Sequence, residues 1–126
     1  MRKFPFVAAA IFALLLTAAP ASAFTLDYSW SGISACQKVS PAFTLSGVPG
    51  GTKRLRFAMT DLDMPSFNHG GSVIYYEGDT VAQGAISYTG PCPPEGQHHR
   101  YTWAVDAIDT SNVVLGRATA TQTFPP

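Results

Sequence analysis

Tyr101-Thr102-Trp103-Ala104-Val105-Asp106-Ala107 alternates large apolar and small or polar residues without a break. Side chains two apart on a strand share a face, so this pattern predicts a half-buried β-strand. Two earlier stretches repeat it. Phe24, Leu26, Tyr28 and Trp30 alternate with Thr25, Asp27 and Ser29. Leu55, Phe57 and Met59 oppose Arg54, Arg56, Ala58 and Thr60. Pro41–Leu45 is a short apolar piece. Ser72–Glu77 and Gly84–Tyr88 are strand candidates on either side of a Gly78-Asp79 turn. Val113–Leu115 and Arg117–Thr123 read as a closing pair. Turn residues crowd the gaps, at Ser46–Gly51, Ser66–Gly71, Gly90–Gly96 and Asp109–Asn112. No stretch keeps a helical period over three turns. Many short strands with turn signals between them predict a mainly β sandwich or barrel.

The N-terminus reads differently. Arg2 and Lys3 precede an apolar run from Val7 to Leu16, then Thr17–Pro20 and Ala21-Ser22-Ala23. Basic start, apolar middle and small-residue end are the marks of a cleavable secretory signal. The run is short for a bilayer span, which needs roughly 20 apolar residues. The expected organisation is a signal peptide over residues 1–23 and one β domain over residues 24–126, exported to the periplasm or secreted. Removing Arg2 and Lys3 leaves six basic side chains against eight acidic ones. A slightly acidic domain lacks the basic stripe of a nucleic-acid binder. Cys36 and Cys92 both lie in the expected mature domain. In an oxidising compartment they are expected to pair, two free buried thiols being the alternative.

Polar residues with chemical potential gather at two places. Asp61, Asp63 and His69 follow one strand, and His98, His99 and Tyr101 open another. On regular strands Asp61 and Asp63 share a face, as do His99 and Tyr101, while His98 points away from His99. Pro65 ends the first strand, because it lacks the N–H a ladder needs. Pro91, Pro93 and Pro94 stiffen the loop before the second.

Three segments together resemble the phosphatidylethanolamine-binding protein family, which includes the bacterial Raf-kinase-inhibitor-like proteins. They are Ser40-Pro41 with Gly47-Val48-Pro49-Gly50-Gly51-Thr52, then Asp61-Leu62-Asp63-Met64-Pro65, then Gly90-Pro91-Cys92-Pro93-Pro94-Glu95-Gly96 with His99-Arg100-Tyr101. The resemblance implies an antiparallel β-sandwich with a small cavity for phosphate-like anions or phospholipid head groups. It places Asp61, Asp63, Pro91, His99 and Tyr101 in that cavity, with His69 standing in for the family's second pocket histidine. Leu62 replaces the usual proline, the family's His-Trp segment is absent, and the chain ends too early for the terminal helix of many members.

The expected partner is a small anion or a phospholipid head group, in a shallow pocket, with peripheral membrane contact and a protein partner left open. In this reading His99 and His69 bind the anion, the two aspartates orient them, and backbone N–H groups of Gly70 and Gly71 add donors. Anion binding then weakens as the imidazoles lose their protons. The alternative is an exported interaction or inhibitor module. A metal site has hard and imidazole ligands but no His-x-His spacing. No Gly-x-Ser-x-Gly motif supports nucleophilic serine chemistry, so neither an enzyme nor a cofactor is expected.

Overall fold

The alternating stretch at residues 101–107 lies near the middle of a five-stranded sheet. The computed structural model describes residues 2–5, 8–14 and 22–126. Its strands are β1 (Ser22–Ala23), β2 (Thr25–Tyr28), β3 (Phe43–Ser46), β4 (Arg54–Asp61), β5 (Gly71–Tyr75), β6 (Thr80–Val81), β7 (His99–Ile108) and β8 (Val114–Phe124). The larger sheet runs β1-β8-β7-β4-β5 and the smaller β2-β3-β6. Pairs are antiparallel except β1 on β8. Among the described residues there is no helix, and so none long and apolar enough to cross a membrane.

The core forms where the inner faces meet. Leu55, Phe57 and Met59 of β4 and Tyr101, Trp103, Val105 and Ala107 of β7 are all buried. Against them lie Leu26 and Tyr28 of β2 and Phe43 and Leu45 of β3. The Phe43 ring meets Phe57 at 4.8 Å and Trp103 at 5.0 Å. These tilted and edge-on contacts suit the ring quadrupoles. Hydrophobic alternation thus sets the register: Phe57 pairs with Val105, Met59 with Trp103 and Asp61 with Tyr101. A one-residue slip would turn every one of these side chains to the wrong face.

Two strand expectations are corrected. Gly84–Tyr88 is not a strand. Its N–H groups bond elsewhere, Gly84 to the Ser40 carbonyl, Ile86 to Ser40 Oγ and Ser87 to Ser72 Oγ. The closing pair is one long strand, β8. Leu115 bulges from the ladder between the Ile108–Val114 and Ala107–Gly116 pairs, so Gly116 continues the strand rather than breaking it.

Cys36 and Cys92 are joined by a disulfide. Of the predicted signal segment, Met1, Phe6, Val7 and residues 15–21 lie outside the described residues. Ser22 and Ala23, at the expected cleavage site, pair with Gly116 and Arg117 of β8.

The outer face of the large sheet carries one buried charge. Asp106 accepts from Arg117 Nε at 2.7 Å and from Arg56 at 2.9 Å. Burial pushes its carboxyl up, but the two guanidinium groups outweigh burial and hold it below the ordinary range. A carboxyl depressed in the folded state stabilises above its unfolded value and loses that contribution as pH falls through the folded value. Both arginines are at least half exposed, so the contribution is modest. Asp106→Asn is expected to lower stability by about 1 kcal/mol at pH 7. That difference should disappear in urea melts in strong acid.

Candidate functional site

The register that buries Trp103 also fixes the site. Asp61 is the last residue of β4, His99 the first of β7, and Asp61 lies opposite Tyr101. All three side chains point inward and are buried. Asp61 Oδ2 lies 2.7 Å from His99 Nδ1. A carboxylate can only accept, so Nδ1 carries the proton. Asp61 Oδ1 accepts the N–H groups of Asp63 at 2.8 Å and Met64 at 3.0 Å, which folds the chain into a turn as the strand ends. Burial pushes the Asp61 carboxyl up, but the His99 hydrogen bond, the two backbone donors and the imidazole charge hold it below the ordinary range.

His99 Nε2 lies 3.0 Å from Gln97 Oε1. With the amide oxygen there, His99 donates from both nitrogens as an imidazolium. With the amide turned over, Gln97 donates to a neutral ring. In either state Gln97 occupies Nε2. His69 is arranged otherwise. Its Nδ1 lies 2.7 Å from the Thr89 carbonyl, which must accept. The proton therefore sits on Nδ1, and Nε2 is left for a ligand. The ring is buried, 4.6 Å from Phe67 and edge-on to Tyr101 at 5.5 Å. The Tyr101 hydroxyl is buried and closes no hydrogen bond. Burial, and then the nearby Asp61 carboxylate, push its phenol above the ordinary range.

These groups border a cavity of about 430 Å³, the size of a small-molecule site. Asp61, His69, His99 and Tyr101 line it together with Cys36, Lys38, Met64, Phe67, Thr89, Gly90, Cys92 and Pro94. Most of the wall is apolar, and the disulfide forms part of it. Gly90 makes the wall possible. A Cβ there would lie 1.6 Å from the Gln37 carbonyl oxygen, so only glycine lets the two loops touch.

Four of the six residues expected in the cavity line it: Asp61, His69, His99 and Tyr101. Asp63 does not. β4 stops at Asp61, so the period-two rule no longer applies, and Asp63 turns to Arg100. It accepts from the Arg100 N–H at 2.7 Å and the guanidinium at 3.2 Å. Those bonds hold the Asp63 carboxyl below its ordinary range. Only one aspartate therefore orients an imidazole; Thr89 orients the other. Pro91 lies buried behind the wall, its carbonyl accepting the Cys36 N–H at 2.8 Å. The Gly70 and Gly71 donors do not serve the cavity either. Gly70 bonds Asn68 Oδ1, and neither glycine lines the cavity. His98 is exposed and meets the Pro125 carbonyl instead of the cavity.

Lys38, Met64 and Phe67 escaped the sequence reading. The pairing of Cys36 with Cys92 was the available signal for Lys38, because it brings residues 36–38 against residues 90–94. Among the described residues, no three His, Cys, Asp or Glu side chains converge closely enough to hold a metal ion.

Comparison with known proteins finds the same fold. The family model "Phosphatidylethanolamine-binding protein" matches residues 68–124, which carry His69, His99 and Tyr101. No curated protein matches the chain. Two crystal structures share the fold. One, from Chlamydia trachomatis, is described as a homolog of phosphatidylethanolamine-binding protein. It is 19% identical, with a TM-score of 0.59 over 82% of this chain and 98% of that one. The other is E. coli YbcL, described as a member of the mammalian family, also 19% identical, with a TM-score of 0.61 over the same shares. The chain thus shares the fold of phosphatidylethanolamine-binding proteins and is similar to their family model over residues 68–124.

Proposed function

We propose that the chain is an exported binding protein whose cavity receives the phosphate-like end of a small ligand, a phospholipid head group included. His69 carries this reading. Thr89 holds the Nδ1–H and locks the ring, so Nε2, once it carries a proton, donates to a ligand oxygen without reorganisation. Lys38 adds a cation at the same wall and makes no ion pair among the described residues. Apolar surroundings strengthen a charged hydrogen bond by excluding water. The Asp61 carboxylate repels an anion weakly, because both its oxygens are already occupied. His99 becomes a positioning residue, tied between Asp61 and Gln97, that braces the floor.

The apolar leader and the disulfide support export, since disulfides persist in oxidising compartments. Binding without catalysis is proposed, because the site offers one available imidazole nitrogen and no nucleophile paired with a base.

Calorimetric titration with phosphorylethanolamine tests the reading. His69→Ala is expected to bind at least about tenfold more weakly, the worth of one charge-assisted hydrogen bond. His98→Ala should bind as the wild type does. Unchanged affinity in His69→Ala would remove the reading.

A further inference from the structure

We propose that this protein works against a lipid surface, with the turn Leu62–Phe67 as a finger that enters the interfacial layer of a zwitterionic bilayer. The proposal rests on the head-group reading above and says where that head group comes from. Leu62, Met64 and Phe67 are 41%, 50% and 48% exposed. Three large apolar side chains thus stand in water on one short turn. The backbone holds them there. Asp61 Oδ1 takes the N–H of Met64, the Met64 carbonyl takes that of Phe67, and the Arg100 carbonyl takes that of Leu62. With the turn so tied, local collapse cannot hide the three side chains.

Met64 and Phe67 also line the cavity. Its polarity therefore runs from an apolar rim to a polar floor at His69 and His99. A water-soluble metabolite gains nothing from such a rim. A head group entering from a bilayer leaves its acyl chains on the rim side, where Leu62, Met64 and Phe67 meet hydrocarbon. The charges at this end select the kind of surface. The one charged residue of the turn, Asp63, is paired with Arg100. A turn so balanced fits a zwitterionic surface rather than a polyanion, which would call for a basic footprint.

Flotation with phosphatidylcholine–phosphatidylethanolamine vesicles tests the proposal, using the protein as the cell exports it. Leu62 follows Asp61 on the turn and does not line the cavity. Leu62→Ser is expected to lower vesicle partition about fivefold. It should leave phosphate affinity, measured by calorimetry without vesicles, unchanged. Leu62→Trp should show a blue-shifted emission on adding vesicles, since Trp30 and Trp103 are already buried. Raising salt from about 0.05 to about 0.5 M should change partition less than about twofold, because burial rather than charge drives it. Equal partition of Leu62→Ser and wild type overturns the proposal, even where phosphate binds through His69. So does Leu62-dependent self-association without vesicle binding, which would make this surface a contact between copies. Leu62-dependent vesicle binding without any phosphate binding would keep the finger and sink the head-group reading instead.

Discussion

Replacing Cys36 and Cys92 together with serine is expected to lower stability by about 4 kcal/mol, by loop-closure entropy. The bridge spans 56 residues, so reducing it frees a long loop in the unfolded chain. A domain of roughly 100 residues has about 5–15 kcal/mol in total, so the loss is a large share. The effect on the site should be as clear. Cys36 and Cys92 are themselves cavity wall, and Lys38 follows Cys36 by two residues. Without the bridge, residues 36–39 keep the Cys36 N–H bond to Pro91 and the Tyr88 hydroxyl bond to Val39, both of which water can replace. Phosphate affinity should fall along with stability. Urea unfolding at pH 7 checks the first part and calorimetry the second. A loss below about 1 kcal/mol with affinity intact would show that packing alone holds the wall.

Asp61→Ala is expected to cost about 2–3 kcal/mol and to weaken ligand binding sharply. It removes the acceptor for three donors at once: the N–H groups of Asp63 and Met64 and the buried Nδ1–H of His99. A buried donor left unpaired costs about 1–3 kcal/mol, while the two backbone groups at the turn regain water. Asp61→Asn separates the contributions. Its amide oxygen can still hold the turn, but the charge facing the imidazole is gone. The sign in pH follows from the depressed Asp61 carboxyl. Its stabilisation is complete above the unfolded carboxyl value of about 3.9 and fades as pH falls through the lower folded value. Wild type and Asp61→Asn should therefore differ at pH 7 and converge in acid. A constant gap across that range would mean that the carboxylate charge contributes nothing.

The strands that build the core were legible because burial imposes period two on them. Leu55-Phe57-Met59 and Tyr101-Trp103-Val105-Ala107 face the small sheet as the alternation required. Gly84–Tyr88 misled because apolar residues also pin irregular segments. Ile86 and Tyr88 are core residues, yet the backbone between them answers to Ser40 and Ser72 side chains that no local pattern reveals. The same limit governs the site. Asp61, His99 and Tyr101 were within reach because they lie on strands whose pairing follows from the core. Asp63 was misplaced by extending strand geometry two residues past the strand's end. Lys38 depends on a long-range contact, the disulfide, and Phe67 on a loop turn that tilts its ring against His69, where no strand period applies. Gln97, two residues before His99, was close in sequence, but its hold on Nε2 depends on how the loop turns into β7.

The central claim is that a phosphate-like anion meets His69 Nε2 at the floor of the cavity. The chain has three histidines, so imidazole nitrogen NMR during a phosphorylethanolamine titration tests it directly. The Nε2 signal of His69 should move most, His99 less and exposed His98 hardly at all. A titration that moves His98 and leaves His69 still would place the ligand elsewhere and contradict the account.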